Sequence, residues 1–348
     1  MQPQNAAIHW VEQGLVPDRV VRLGIRRLLR QRLDELHSGN ATAVARLTQE
    51  FARSLHEAPL ALHTDQANEQ HYELPAAFFE RVLGPNLKYS CCLWPEDGKG
   101  SLADAEAAAL AATCERAELA DGQDVLELGC GWGSLSLWMG RHYPASRITA
   151  VSNSASQRAF IEARAQALGL GNLSVITGDF NDFEAPARQF DRVVSVEMFE
   201  HLRNWPRAFA KVATWLRPGG RFFMHVFAHR EAPYTFEVRD ASDWMSQHFF
   251  TGGMMPSDDL PLHFQDELRL LERWRWDGRH YARTARAWLD NMDAQRDALL
   301  PVVQAGHGGA GELWWMRWRL FFMAVEELFA WQEGQQWWVG HYLFESRA

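Results

Sequence analysis

The chain opens with hydrophobic positions that recur at nearly helical spacing. Within the first sixty residues, an arginine-rich stretch carries apolar side chains at Leu23, Ile25, Leu28, Leu29, Leu33 and Leu36. This spacing is typical of amphipathic helices. The proline-containing segment 61–100 lacks such a period and predicts loops. The alanine-rich segment 101–119, which begins with Ser101 and Asp104, predicts a capped helix. The chain is therefore expected to begin with a helical arm.

Short apolar segments alternate with helical ones from residue 124 onward. The predicted strands cover residues 124–128, 147–152, 173–177, 190–196 and 221–227, and the predicted helices cover residues 134–142, 154–168 and 204–216. A Pro-Gly-Gly sequence at 218–220 predicts a turn before the last of these strands. Strands that alternate with helices of this length predict a parallel sheet covered on both faces, which is a Rossmann-like α/β core.

The last third of the chain combines strand-like segments with aromatic helices. Residues 268–276 and 338–345 predict strands, and residues 280–299 and 311–331 predict helices. We interpret them as an antiparallel sheet edge with an inserted helical cap, in a chain divided at 1–115, 116–230 and 231–348. The aromatic side chains after Trp274 are typical of a helix core. An aromatic lid, with Glu326 and Glu327 facing a substrate amine, is the other interpretation.

Composition narrows the classes of partner. Of 348 residues, 47% are hydrophobic and 23% are charged, so a large core is expected and long disordered tracts are not. A net charge of −9 argues against a nucleic-acid partner and against an anionic membrane surface. No uncharged apolar stretch reaches the roughly 20 residues that a bilayer requires, so no stable membrane insertion is expected.

The cysteines and histidines predict neither a metal site nor disulfides. Cys91, Cys92, Cys114 and Cys130 form no C-x-x-C pair, and their spacing indicates a reduced, cytoplasmic setting. The N-terminus lacks the pattern of a signal peptide. His225 and His229 are four residues apart in a strand-like segment, where that spacing does not bring two side chains onto one metal ion.

A glycine loop directly follows the first predicted strand. The sequence Glu127-Leu-Gly-Cys-Gly-Trp-Gly133 places three glycines between a strand and a helix. Such a turn lets the backbone approach a ligand closely. The third glycine of the dinucleotide fingerprint is replaced by Ser134, and Glu127 would repel a pyrophosphate while attracting an amino group. The loop therefore predicts S-adenosyl-L-methionine rather than NAD, and a tight turn without a ligand is the alternative.

Polar residues also follow the second and third strands. Asn153 and Gln157 replace the acid that commonly holds ribose hydroxyls at this position, and both side chains can bond hydroxyls or an adenine edge. Asp179 and Phe180 follow the third strand, where an acid beside an aromatic ring suits adenine. Capping a helix is the other interpretation of Asp179.

Five motifs in combination resemble a known family. They are 87–92 (LKYSCC), the glycine loop, Asn153-Ser154 with Gln157, 197–201 (EMFEH) and 249–253 (FFTGG). Together they resemble the coclaurine N-methyltransferase group, which belongs to the wider cyclopropane-fatty-acid synthase superfamily, over about residues 60–348. The resemblance implies the class I S-adenosylmethionine-dependent methyltransferase fold, here with an N-terminal helical arm and a C-terminal helical cap. It also implies N-methylation of a small aromatic or heterocyclic amine.

The resemblance further implies roles for individual residues. The cofactor pocket would be formed by Tyr89, Ser90, Gly129, Gly131, Asn153, Gln157, Asp179 and Phe180, to which the loop itself adds Glu127. Glu197, Glu200 and His201 would lie beside the methyl acceptor. The cyclopropane synthases use a bicarbonate ion as base, and its ligands would fall on Cys91, Glu200, His225 and Tyr281. Glu197 and Cys92 stand where those synthases usually have glycine, which matches the amine-methylating branch.

Two other functions stay open at this point. The first is transfer to an unsaturated lipid chain, as in cyclopropane-fatty-acyl-phospholipid synthases, with bicarbonate as base. The second is a non-enzymatic cofactor-binding protein. For amine methylation, Glu197, Glu200 and His201 could accept or relay the proton that the amine must lose. A small-molecule amine is the expected partner, and a homodimer is left open.

Overall fold

The arm consists of helices, as the hydrophobic spacing predicts. The computed structural model describes residues 3–36, 40–62, 74–238 and 243–347. Its first helices are α1 (Pro3–Glu12), α2 (Asp18–Leu36), α3 (Ala41–Glu57), α4 (Ala76–Val82) and α5 (Leu102–Arg116). A capping box joins Ser101 and Asp104 at the start of α5. The seven-residue α4 lies in a segment predicted as loop, because it is too short to show a helical period. Residues 63–73 of that predicted loop lie outside the described residues.

The predicted parallel sheet is confirmed. Strands β1 (Asp124–Leu128), β2 (Arg147–Ser152), β3 (Leu173–Thr177), β4 (Phe190–Val196) and β5 (Leu216–His229) run parallel to their neighbours, and α6 (Ser134–His142), α7 (Ala155–Ala167) and α8 (Trp205–Trp215) connect them. The strand order is β3-β2-β1-β4-β5, and two strands from the C-terminal third, β9 (Trp337–Ser346) and then β8 (Leu268–Trp276), follow β5. The direction of winding reverses between β1 and β4, and ligands of open α/β sheets bind at such a reversal.

The start of β5 differs from the prediction. Leu216 already pairs with Phe190, and Arg221 pairs with Arg192, so β5 advances five residues while β4 advances two. The Pro-Gly-Gly segment therefore forms a bulge, with a φ of +72° at Gly219, inside a long strand that begins five residues earlier than the apolar pattern indicates.

The C-terminal third closes the sheet and covers it. It contains β6 (Tyr234–Thr235), α9 (Trp244–His248), β7 (Met254–Met255), β8 (Leu268–Trp276), α10 (Gly278–Ala294), α11 (Arg296–Gly306), α12 (Gly311–Ala330) and β9 (Trp337–Ser346). Strand β9 pairs antiparallel with both β5 and β8, so the predicted antiparallel edge with a helical insertion is confirmed. The predicted helix 280–299 is two helices, because Gln295 adopts a non-helical conformation. Its side-chain Nε2 donates to the Arg81 carbonyl at 2.8 Å.

The cap and the arm pack together. Trp318, Phe321, Phe322 and Phe329 of α12 are buried in one cluster that also contains side chains of α2 and α4. Glu326 and Glu327 do not face a substrate: both accept from Arg22 at 2.8 Å. Arg26 Nε also donates to Glu327 Oε2 at 2.6 Å. These acids therefore hold the arm to the cap, and the core interpretation is the correct one for the four rings.

Within the described ranges, no helix combines the length and the apolar character needed to cross a lipid bilayer.

Candidate active site

A pocket opens at the carboxyl ends of β1, β2, β3 and β4, where the winding of the sheet reverses. All nine side chains or backbone positions predicted for the cofactor line this one pocket: Tyr89, Ser90, Glu127, Gly129, Gly131, Asn153, Gln157, Asp179 and Phe180. Glu197 and His201 line the same pocket from the end of β4. The remaining predicted catalytic residues lie behind Glu197 and contact it or its neighbours.

The three glycines of the loop are required for different physical reasons. All three have positive φ, at +76° for Gly129, +51° for Gly131 and +81° for Gly133. A Cβ on Gly129 would lie 2.8 Å from Met198 Cβ, and one on Gly133 would lie 2.6 Å from Ile161 Cγ1. A Cβ on Gly131 would meet no described atom within 4 Å, although Gly131 lines the pocket. Gly129 and Gly133 are therefore needed for packing, whereas Gly131 leaves space for a ligand.

Buried polar groups of this pocket fit S-adenosylmethionine. The Glu127 carboxyl accepts from the Ser136 hydroxyl, and burial raises its pKa to about 8, so an ammonium group beside it would be strongly favoured. The Gln157 Nε2 and Ser134 Oγ atoms are buried without a partner among the described residues. Unpaired buried groups are rare in the absence of a ligand. Glu127 would hold the amino group, and Gln157 would supply a donor to the nucleoside.

The Asp179 carboxyl group caps a turn and also lines the pocket. Its Oδ1 accepts from the Asn181 N–H at 2.7 Å, so Asp179 caps a turn and not a helix. The carboxyl group and the Phe180 ring still line the pocket. Lys211 lies 5.3 Å above the Phe180 ring centroid and donates to the Phe180 carbonyl at 2.9 Å, which fixes the position of this segment.

Three donors converge on the Glu197 carboxylate. Oε1 accepts from the Cys91 N–H at 3.0 Å and lies 3.1 Å from His225 Nε2. Oε2 accepts from the Tyr281 hydroxyl at 2.6 Å. Glu197 holds this position with a φ of +49°, a conformation that favours glycine. Cys91, His225 and Tyr281 belong to the set that the resemblance assigns to bicarbonate, and here they surround a carboxylate of the chain itself.

Cys91 contributes its backbone rather than its thiol. The Sγ atom lies against the Cys92 carbonyl at 3.5 Å, and burial raises the pKa of this thiol well above its usual range. A thiol that stays protonated is a poor base or nucleophile. The group of Cys91 that meets Glu197 is the N–H, and a catalytic role for Cys91 stays a prediction.

Glu197 and Glu200 occupy environments that separate their roles. Glu200 is fully buried in the 3₁₀ turn Phe199–His201, and burial together with the Glu197 charge raises its pKa well above the ordinary value. Its Oε1 accepts from the Phe227 N–H at 2.8 Å. Burial also raises the pKa of Glu197, but the Lys88 charge, the Cys91 N–H and the Tyr281 hydroxyl oppose the increase. Glu197 is therefore the more easily ionised acid of the pair, and Glu200 is the one held more strongly in its neutral form.

His201 and Lys88 complete the surroundings of Glu197. Burial lowers the pKa of His201 to about 4, so its imidazole is neutral near pH 7. Its ring is parallel to Phe250 at 5.7 Å between centroids. Lys88, which the sequence reasoning did not select, is buried and bonds to the Ser90 hydroxyl at 2.5 Å. The sequence signal that points to Lys88 is its position beside Tyr89 and Ser90 in the 87–92 motif.

No cluster of metal-ligating side chains occurs in the part of the chain that the structure describes. His229 belongs to the fold instead: it is fully buried, and its Nδ1 lies 3.0 Å from the Ala232 carbonyl.

The fold and the pocket define an S-adenosylmethionine-dependent methyltransferase. Residues 62–335 match the family of mycolic acid cyclopropane synthetases, and the chain belongs to this family. It is similar to (S)-coclaurine N-methyltransferase of Thalictrum flavum subsp. glaucum, with 34% identity over 97% of this chain and 94% of that protein. A crystal structure of coclaurine N-methyltransferase bound to N-methylheliamine and SAH superposes with a TM-score of 0.94 and 32% identity, covering 98% of this chain and 99% of that one.

The similarity to lipid-modifying relatives is more limited. The cyclopropane-fatty-acyl-phospholipid synthase of Escherichia coli is 31% identical, but only over 64% of this chain and 56% of that protein.

Proposed function

We propose that this enzyme transfers a methyl group from S-adenosylmethionine to the nitrogen of a small aromatic or heterocyclic amine. The observation that carries the proposal is the Glu197 carboxylate, held by Cys91, His225 and Tyr281 at the edge of the cofactor pocket. A fixed anion at this place suits an acceptor that is cationic before reaction and loses a proton. The full-length similarity to amine methyltransferases supports the same conclusion.

The residues around Glu197 suit each requirement of the reaction. S-adenosylmethionine, when bound, supplies an electrophilic methyl group on a sulfonium, and in-line displacement needs a neutral amine held opposite to it. Glu197 attracts the ammonium form and accepts its proton. The neutral His201 imidazole lies beside it and supplies a second polar group that can exchange a proton. Glu200 stays neutral and fixes the backbone at Phe227, so it acts as a positioning residue.

Aromatic rings extend on both sides of this carboxylate. Tyr281 stacks on Phe329 at 4.5 Å between centroids, Phe329 lies 6.5 Å from Phe227, and Phe227 lies 5.8 Å from Phe250, which stacks on His201. Tyr281, Phe227 and Phe329 are buried and packed on other rings, so they form an apolar wall behind the carboxylate rather than open ring faces. Such a wall suits the apolar rings of an aromatic or heterocyclic amine.

Transfer to an unsaturated lipid is the second candidate. It requires an external bicarbonate as base, but in this chain the three donors that would bind that ion are already bonded to Glu197. We therefore propose that bicarbonate is not needed by this enzyme.

Replacing Glu197 with glycine tests that assignment. Glu197→Gly removes the carboxylate and relieves the positive φ, so the variant should fold while losing most amine methylation. The vacated space keeps three donors, so added bicarbonate is expected to restore part of the activity of the variant and to leave the parent unchanged. Initial rates are measured over a bicarbonate titration at constant pH and ionic strength. Bicarbonate stimulation of the parent would contradict the proposal and support the lipid reaction.

We propose further that the enzyme works in a reducing compartment, such as the cytoplasm, on a small-molecule partner and without nucleic acid. Four buried free cysteines and the net charge of −9 support this proposal. The homodimer and the division at residues 115 and 230 stay predictions.

A further inference from the structure

A row of polar side chains crosses the sheet behind Glu197. In the strand register, Val196 at the end of β4 is opposite His225 in β5, His225 is opposite His341 in β9, and His341 is opposite Trp274 in β8. His341 Nε2 lies 2.9 Å from His225 Nδ1, and His225 Nε2 lies 3.1 Å from Glu197 Oε1. Both histidines are fully buried. The two imidazoles thus form a continuous hydrogen-bonded path that ends on Glu197.

The other end of this path is Arg116, the last residue of α5. Its Nη1 lies 2.7 Å from His341 Nδ1. The guanidinium is held over the rings of Trp274 and Trp276, 5.3 Å from each centroid. The edge of Trp276 also packs against both imidazoles. Arg116 is therefore fixed in place by aromatic rings while its N–H points at the histidine pair.

Because arginine only donates hydrogen bonds, it determines which nitrogen of each histidine donates and which accepts. A guanidinium only donates hydrogen bonds and does not lose its proton in proteins. His341 Nδ1 must therefore accept, which leaves the proton of a neutral His341 on Nε2. That N–H donates to His225 Nδ1, so the proton of His225 also lies on Nε2, where it donates to Glu197. A second proton on either ring would place two donors face to face.

We infer that Arg116 and His341 are positioning residues of the active site, which fix the tautomer of His225 and thereby keep Glu197 ionised and ready to accept a proton. The path also carries no proton away from Glu197, because every hydrogen bond in it already points towards the carboxylate. The proton that Glu197 accepts must therefore leave through the substrate pocket. The kinetic consequence of this inference rests on the proposed function. The tautomers of His225 and His341 do not depend on it.

Other titratable and aromatic groups also face this path. Glu197 faces Lys88, the Cys91 N–H, Glu200, His201 and Tyr281. His341 faces Phe223 and Trp276, and the charged neighbour of Arg116 is Glu115. Burial, with the charges of Lys88 and Arg116, holds the pKa of both His225 and His341 well below the ordinary value, which agrees with two neutral rings. Substitution of Arg116 by an apolar residue removes its donor and its charge together, whereas lysine keeps both.

The kinetic test compares two substitutions at one position. Arg116→Met keeps an unbranched side chain between the tryptophans but removes the donor. We expect the acid limb of the kcat–pH profile to move up by roughly one pH unit or more, with about a tenfold loss on the acid side and little loss above pH 9. Arg116→Lys, which still only donates, should restore the limb. Arg283→Met is the matched control, because Arg283 is also stacked on a tryptophan, 3.9 Å from the Trp94 centroid. A loss that is equal at every pH, or no loss, overturns the inference.

A second measurement does not depend on any methyl acceptor. In ¹⁵N-histidine-labelled parent protein, the His225 and His341 resonances, identified by their loss in His225→Phe and His341→Phe variants, should both show the Nε2–H tautomer between pH 6 and 9. At least one should change in Arg116→Met. An Nδ1–H tautomer or a doubly protonated ring in the parent overturns the inference even if the enzyme methylates amines. The expected tautomers would stand even if the acceptor were a lipid.

Discussion

Replacing Glu197 with glutamine is expected to lower kcat for amine methylation by about 10²- to 10⁴-fold near pH 7, the usual range for loss of an acid–base group. Glutamine can keep the local geometry: its oxygen can accept from the Cys91 N–H and from His225, and its amide can donate to a rotated Tyr281 hydroxyl. The substitution therefore removes the charge and the basicity with little change of shape. The loss should become smaller at high pH, where more of the free amine is already neutral.

The measurement is a set of kcat and KM values from pH 7 to 10, with unfolding temperatures to verify the fold. Glu162→Gln is the matched control, because Glu162 is an exposed residue of α7 that pairs with Arg158 at the surface. An active Glu197→Gln variant with the pH profile of the parent would show that the carboxylate has no role in the reaction.

The second large effect is expected at the glycine loop. Gly131→Val should weaken S-adenosylmethionine binding by at least about 100-fold, because its side chain would project into the pocket where no protein atom lies within 4 Å. The positive φ of Gly131 adds a conformational cost of roughly 1–2 kcal/mol. This cost has to be separated from the loss of binding.

Gly169→Val provides that separation. Gly169 also has a positive φ, +68°, and open space around its position, but it does not line the pocket. Both variants should lose similar amounts of thermal stability, and only Gly131→Val should lose ligand binding by calorimetry. Equal affinity in the two variants would contradict the placement of the cofactor.

The parts of the molecule that could be predicted are those encoded over short distances in the chain. The alternation of strands and helices gave the sheet, and the residues directly after each strand gave the pocket, because parallel strands bring their carboxyl ends to one edge. Glu127 near the end of β1, Gln157 in the first turn of α7 and Asp179 shortly after β3 all lie at this edge. The capping box of α5 was likewise visible from Ser101 and Asp104 alone.

The parts that were missed depend on contacts between distant segments. Nothing local to residue 91 shows that its N–H, rather than its thiol, meets a carboxylate 106 positions later. The pairing of Arg116 with His341 joins residues 225 positions apart, and it exists only because β9 inserts between β5 and β8. The same reason explains Glu326 and Glu327, whose arginine partners lie about 300 residues earlier in the arm.

The most direct test of amine methylation is to identify the atom that receives the methyl group. The enzyme is incubated with methyl-labelled S-adenosylmethionine and, in parallel, with a tetrahydroisoquinoline amine, a matching phenol and vesicles of unsaturated phospholipid, each with and without bicarbonate. Mass spectrometry should find one labelled methyl group on the amine nitrogen, at a rate that does not depend on bicarbonate, and none on the phenol or the lipid. Bicarbonate-dependent label in the acyl chains, with an unmodified amine, would contradict the proposed function.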